Sequence, residues 1–123
     1  MARILAVEDS AAMRGLIASL LDGLDGCEIV DVDGGFNALR QLPQSQFDLV
    51  ITDINMPDIN GLELLSFVRT NAAHARTPVL IVTSETNPVE HQRGLDLGAN
   101  AVLVKPFSAD DLISCVRGLL AKT

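Results

Sequence analysis

The chain is predicted to fold as a doubly wound α/β protein, a five-stranded parallel sheet with helices on both faces. Three observations predict it. Short apolar runs recur along all 123 residues, separated by longer amphipathic stretches. The runs at Leu49-Val50-Ile51 and Val79-Leu80-Ile81-Val82 are contiguous and branched, as strands buried on both faces require. The stretches between them carry helical spacing, and right-handed crossovers through such helices place successive strands parallel in one sheet. The expected architecture is a three-layer sandwich of five strands and five helices, in one domain over residues 1–123.

Each element has its own signal. Arg3-Ile4-Leu5-Ala6-Val7 is a short buried strand that runs into Glu8-Asp9. Ser10 can cap a helix with Met13, Leu16, Ile17, Leu20, Leu21 and Leu24 at helical spacing, and Gly23 and Gly26 are its stops. Cys27 to Asp33 alternates as a second strand, and Asp33-Gly34-Gly35 is a turn signal. Phe36, Leu39 and Leu42 suit a short helix ended by Pro43, with Gln44-Ser45-Gln46 as a loop. The third strand ends on Asp53, and Pro57 then forces a loop, because proline lacks a donor and biases Met56 towards extended backbone.

Asn60-Gly61 precedes a helix bearing Leu62, Leu64, Leu65 and Val68. Thr77-Pro78 leads into the fourth strand, which ends at Thr83-Ser84. Asn87-Pro88-Val89-Glu90 combines a cap residue, proline at the first helical position and a glutamate three residues past the cap; this helix runs to Gly98. Ala101-Val102-Leu103-Val104 is the fifth strand and ends at Lys105-Pro106. Ser108-Ala109-Asp110-Asp111 has capping-box spacing for a last helix with Leu112, Val116, Leu119 and Leu120 on one face, expected to end near Lys122-Thr123.

Composition narrows the function. A formal net charge of −7 disfavours nucleic acid and anionic membranes and suits protein or cation partners. No apolar run approaches the roughly 20 residues of a membrane helix. Glu8 and Asp9 arrive too early for a signal peptide, so a cytoplasmic protein is expected. Cys27 and Cys115 lack metal-site spacing and read as small hydrophobes or inert thiols. His74 and His91 are expected in solvent.

Chemistry concentrates at one edge. Parallel strands put their carboxyl ends together, where open sheets hold their ligands. Strand one delivers Glu8 and Asp9, strand three Asp53, strand four Thr83 with Ser84, and strand five Lys105; Asp33, after strand two, is expected at the periphery. Two carboxylates about 4 Å apart repel by roughly 4 kcal/mol at an effective dielectric of about 20. A divalent cation relieves this, and oxygen-only ligation selects Mg²⁺ or a similar hard ion over zinc. Asp53 is then a competent nucleophile towards a phosphoryl group, with Mg²⁺ and Lys105 balancing charge and Thr83 donating a hydrogen bond.

This constellation resembles the receiver domain of two-component response regulators, of the single-domain chemotaxis type. The resemblance covers the whole chain and rests on Glu8-Asp9, on Asp53 within Asp-Ile-Asn-Met-Pro-Asp-Ile-Asn-Gly, on Thr83-Ser84 and on Lys105-Pro106-Phe107. It implies a flavodoxin-like sheet in the order 2-1-3-4-5, the order known for the bacterial chemotaxis regulator. It implies that Asp53 accepts a phosphoryl group from a sensor kinase's phosphohistidine. Mg²⁺ would be ligated by Asp9, Asp53 and the Asn55 backbone carbonyl, with Glu8 direct or through water. Lys105 would pair with the phosphate, Thr83 would swing towards it, and the Lys105–Pro106 peptide would be cis.

The resemblance further implies a switch read on the face of helix four, strand five and helix five. Relatives often carry an inward-turning aromatic in strand five where this chain has Val102, which leaves two expectations: the small valine simply leaves room for the switch, or helix-four displacement alone carries the signal. Asn55 and Glu85, two residues past Asp53 and Thr83, match positions that tune phosphoryl lifetime and predict fast turnover. The implied partners are a sensor histidine kinase or phosphotransfer protein and a downstream protein target, with the chain monomeric. Met1 favours the expectation of a stand-alone protein over the alternative, a domain cut from a longer one. Two readings compete: a phosphorylation-independent scaffold, and a Mg²⁺-dependent phosphatase of the haloacid dehalogenase type. The latter would need an acid where Asn55 stands.

Overall fold

The computed structural model describes residues 2–121. Five strands and five helices alternate: β1 (Arg3–Val7), α1 (Ala11–Leu21), β2 (Glu28–Val32), α2 (Gly35–Gln41), β3 (Leu49–Thr52), α3 (Gly61–Thr70), β4 (Val79–Thr83), α4 (Pro88–Asp96), β5 (Ala101–Val104) and α5 (Ala109–Leu120). The strands form one parallel sheet in the order β2-β1-β3-β4-β5. The expected end of the last helix near Lys122-Thr123 lies outside the described residues.

Alternation of side chains along each strand splits the core in two. Leu5, Val7, Val50 and Ile81 point to one face, where they meet Ala38 of α2 and Leu62, Leu65 and Val68 of α3. Ile4, Ala6, Ile51, Leu80 and Val82 point to the other, against Ile17 and Leu21 of α1 and Leu112 and Val116 of α5. β3 and β4 are buried at every residue, which is why their sequences are contiguous and branched rather than alternating.

The caps follow the expected chemistry except at α4, where the Asn87 N–H donates to Glu85 and Glu90 pairs with Arg93 instead. Ser10, Asn60 and Asn87 side chains accept from backbone N–H groups at the starts of α1, α3 and α4, and Ser108 with Asp111 forms a reciprocal capping box on α5.

Some boundaries and burials differ from expectation. α1 stops at Leu21; Leu24 falls instead in a single 3-10 turn, because Gly23 at φ 81° breaks the helix before it. α4 stops at Asp96, two residues before Gly98 at φ 112°. Phe36 sits 58% exposed at the start of α2, while Leu42, just past the helix, is buried. Neither histidine lies free in solvent. His74 is fully buried: its Nε2 donates to the Leu42 carbonyl at 2.8 Å and its ring packs near Phe47. His91 is half-buried, and its Nε2 meets the Glu85 carbonyl.

Candidate functional site

Sheet register places the candidate residues. Val7 pairs with Thr52, so the residues that follow them, Glu8 and Asp53, emerge side by side. Thr83 pairs with Val104, and the Lys105 N–H donates to the Thr83 carbonyl at 2.8 Å. All four residues therefore leave the sheet at its carboxyl edge.

Glu8, Asp9 and Asp53 each offer a carboxylate oxygen, and these oxygens lie within 4.8 Å of one another. Glu8 and Asp53 are buried and Asp9 is exposed, so the cluster opens to solvent on one side. The Lys105 ammonium bridges the two buried acids, donating to Glu8 Oε1 at 2.6 Å and to Asp53 Oδ2 at 2.9 Å. The remaining oxygens are held by the backbone: Asp53 Oδ1 accepts from Ile54 N–H at 2.7 Å, and Glu8 Oε2 from Ser10 N–H at 2.9 Å. The acids thus have fixed directions before any ligand arrives.

Charge at this edge is unbalanced. Burial works to lower the Lys105 pKa, but the bonds and charges of Glu8 and Asp53 prevail and hold it above its ordinary 10.5. Three carboxylates still face one ammonium. The donor set is all oxygen, so it fits a hard divalent ion such as Mg²⁺, with Glu8, Asp9 and Asp53 as the side chains able to hold it.

Thr83 is fully buried, and its hydroxyl accepts from Glu85 N–H at 3.0 Å. Asn55 is exposed in the β3–α3 loop. The Glu85 carboxylate is turned towards α4, where it accepts from Asn87 N–H at 2.9 Å. Val102 is half-buried and packs against the core of the α2–α3 face. The Lys105–Pro106 peptide is cis, as the resemblance implied. Asp33 lies at the periphery, with its carboxylate accepting from the Asn37 amide.

Sequence reasoning missed two supports. Arg14 donates to the Glu8 carbonyl at 2.9 Å and lies 3.6 Å from Asp31, beside the cluster; nothing in its spacing announces this. Gly61 reads as part of a helix-start signal, yet its main role is spatial. A Cβ there would meet the Asp53 carbonyl oxygen at 1.9 Å, so only glycine lets α3 begin directly behind the acid.

A flavodoxin-like sheet with an acidic pocket and one lysine at its carboxyl edge defines a class of signalling domains, with a pocket compatible with phosphorylation. The profile of the response regulator receiver domain matches residues 4–117, and the chain belongs to that family. It is 37% identical to the chemotaxis protein CheY of Pseudomonas aeruginosa, covering 89% of this chain and 89% of that protein. A Picosynechococcus protein named "Probable transcriptional regulatory protein" is 36% identical across 98% of this chain, but the chain spans only 50% of its length. The structure of chemotaxis protein CheY4 of Vibrio cholerae superposes with a TM-score of 0.90 at 35% identity, covering 97% of this chain and 98% of that one. Membership of this family leaves the phosphatase reading without support. Among the described residues, no helix is long and apolar enough to cross a membrane.

Proposed function

We propose that the chain, read as one domain over residues 1–123, is a phosphorylation-driven switch whose phosphoacceptor is Asp53. The observation that carries this is the Lys105 bridge between two buried carboxylates in a cluster short of positive charge. Asp53 Oδ2 would attack the phosphorus of a sensor kinase or phosphotransfer protein's phosphohistidine. The phosphorus–nitrogen bond would break, the imidazole would leave with the electron pair, and an aspartyl phosphate would remain. Mg²⁺, held by Glu8, Asp9, Asp53 and the Asn55 carbonyl, would supply electrostatic stabilisation of the phosphoryl oxygens.

The chain's own groups do the rest. Lys105 exchanges a carboxylate partner for a phosphoryl oxygen, keeping its charge satisfied. The Thr83 hydroxyl turns from accepting the Glu85 N–H to donating to the phosphoryl group. That turn frees the β4–α4 segment and repopulates the face of α4, β5 and α5, where Val89, Leu95 and Val104 already stand exposed. Val102 is too small to gate this motion as an aromatic would, so α4 carries the signal to a downstream protein target. Asn55 at the mouth and Glu85 at the switch tune hydrolysis, and exchanging either residue changes the decay rate of the adduct. We place the protein in the cytoplasm as a monomer that acts through protein contact rather than nucleic acid or membrane, with enzyme-like activity confined to its own phosphorylation and dephosphorylation.

The test is intact mass after incubation with acetyl phosphate and Mg²⁺, beside Asp53→Ala. A phosphoryl adduct on the wild type alone, lost without Mg²⁺, is the expected result. An unmodified wild type that also fails to bind beryllofluoride overturns the reading in favour of a phosphorylation-independent scaffold.

A further inference from the structure

The β3–α3 loop carries a second acid, Asp58, whose carboxylate faces away from the Asp53 cluster and towards α2. Its Oδ2 accepts from Phe36 N–H at 2.9 Å, and its Oδ1 accepts from Gly35 N–H at 3.2 Å and Ile59 N–H at 2.8 Å. Three backbone donors on one carboxylate hold its pKa below the ordinary 3.8, the Phe36 bond contributing most. α2 has no side-chain cap of its own, since its N-cap is Gly34. Asp58 therefore supplies the cap from a different segment of the chain.

The two glycines of the β2–α2 turn make this contact possible. A Cβ on Gly34 would lie 2.8 Å from Asp58 Oδ2, and one on Gly35 would lie 2.7 Å from the Ile59 Cβ. Both glycines are needed for close approach, not for turning. The far end of the same loop is fixed as well, because Gly61 N–H donates to the Ile54 carbonyl at 2.7 Å and Gly61 seats directly against the Asp53 backbone. Asn55, Met56 and Pro57 thus lie in a short arch pinned at both ends.

We propose that Asp58 is a positioning residue for the cation site: by tying the arch to α2, it fixes where the Asn55 carbonyl points. This rests on the reading of Asn55 as a backbone ligand beside Glu8, Asp9 and Asp53. A carbonyl can hold a cation only if its arch is stiff, since every degree of freedom lost on binding weakens the complex. Outer partners of metal ligands typically change metal affinity by about tenfold or more when removed.

The arrangement allows a test that separates positioning from plain helix capping. The three nearest atoms to a Gly34 Cβ all belong to Asp58, so removing that carboxylate opens the space for a local cap. Gly34 already has the extended backbone of an N-cap residue, at φ −177° and ψ 175°. Mg²⁺ affinity is measured by calorimetry, well below the melting temperature, for the wild type, Asp58→Ala, and Gly34→Ser combined with Asp58→Ala. Asp58→Ala is expected to bind Mg²⁺ about tenfold more weakly. Gly34→Ser is expected to recover the lost melting temperature and leave the Mg²⁺ affinity weak.

Unchanged affinity in Asp58→Ala overturns the proposal, as does an affinity that recovers together with melting temperature in the double variant. A wild type that binds no Mg²⁺ overturns the cation site itself, a separate failure that takes this proposal with it. Where Asp58→Ala does not fold, Asp58→Asn replaces it. That variant keeps the volume and one acceptor oxygen, so a loss of affinity smaller than tenfold but measurable is expected, and no loss overturns the proposal.

Discussion

The two edges of the sheet handle buried polarity in opposite ways. At the amino edge, Arg69 at the end of α3 reaches across the loops that precede β4 and β5. Its guanidinium donates to the carbonyls of Gly98, His74 and Thr77 and to the Asn100 side chain, at distances from 2.7 to 3.4 Å. Asn100 in turn accepts from Val79 N–H, and His74 donates to the Leu42 carbonyl. One cation here meets several neutral acceptors, and the loops are closed by it. At the carboxyl edge three carboxylates lie together with one ammonium, which bonds only Glu8 and Asp53, and a cation from outside would complete the set. Polar groups satisfied within the chain mark structure; polar groups arranged around a shared charge deficit mark a site.

The sharpest way to break this comparison is to delete the cation at each edge's centre and measure different things. Arg69→Ala strands several half-buried carbonyls and removes the packing of a long side chain, so urea denaturation should show a loss of about 3 kcal/mol. Its phosphorylation by acetyl phosphate should persist under conditions where it remains folded. Loss of the adduct in a folded Arg69→Ala protein would mean the edges are not separate. Added Mg²⁺ probes the other edge: at a hundredfold excess over its dissociation constant it should stabilise the wild type by about 2.7 kcal/mol, and Arg69→Ala by the same increment.

A smaller effect has the opposite sign from most substitutions. Asp53→Asn without Mg²⁺ removes one of three mutually repelling charges and leaves Lys105 its 2.6 Å bond to Glu8. Stability should rise by about 1 kcal/mol, because sites built for a ligand hold strain that the fold alone does not need. A fall in stability would show the Lys105–Asp53 bond to outweigh the repulsion, and the two edges would then differ less than their charges suggest.

These edges were not equally legible. Asp53 and Lys105 stand at the ends of contiguous apolar runs, and parallel order sends all such ends to one place; pattern and topology suffice. His74 and Arg69 leave no such trace. Each is a polar residue in or beside a loop, and its burial depends on carbonyls far away in sequence: Leu42 lies 32 residues from His74, and Gly98 lies 29 from Arg69. Expecting His74 in solvent failed because a neutral imidazole can be buried wherever a carbonyl awaits it, and loop carbonyls carry no side-chain signal. Gly34, Gly35 and Gly61 were visible as turn or helix-start residues, but the close approaches that require them appear only once Asp58, Ile59 and the Asp53 backbone are placed. Local periodicity reports what a residue does for its own element. It is silent on what one element's backbone asks of another.

The smallest prediction concerns pH, and it separates the edges by titration. Lys105 has a folded pKa above its ordinary 10.5, so its contribution to stability is complete below about 10.5 and is lost as pH rises through the folded value. Burial also raises the Cys27 thiol above 9.0, with the same sign. The chain contains no tyrosine, which leaves the alkaline limb unusually simple. In a Cys27→Ala background without Mg²⁺, melting temperature should fall between about pH 10 and 12, and Lys105→Met should flatten that fall. Asp58 acts at the acid end. Its lowered pKa contributes stability above about 3.8 that is lost as pH drops through the folded value, so Asp58→Ala should flatten the acid limb. Burial lowers the Arg69 pKa from 12.5, opposite in sign to Lys105, but at the acid end its guanidinium is fully charged, so Arg69→Ala should shift the acid limb down without changing its shape. An acid limb that disappears in Arg69→Ala would place titrating chemistry at the amino edge, where the guanidinium meets only backbone carbonyls and the Asn100 side chain.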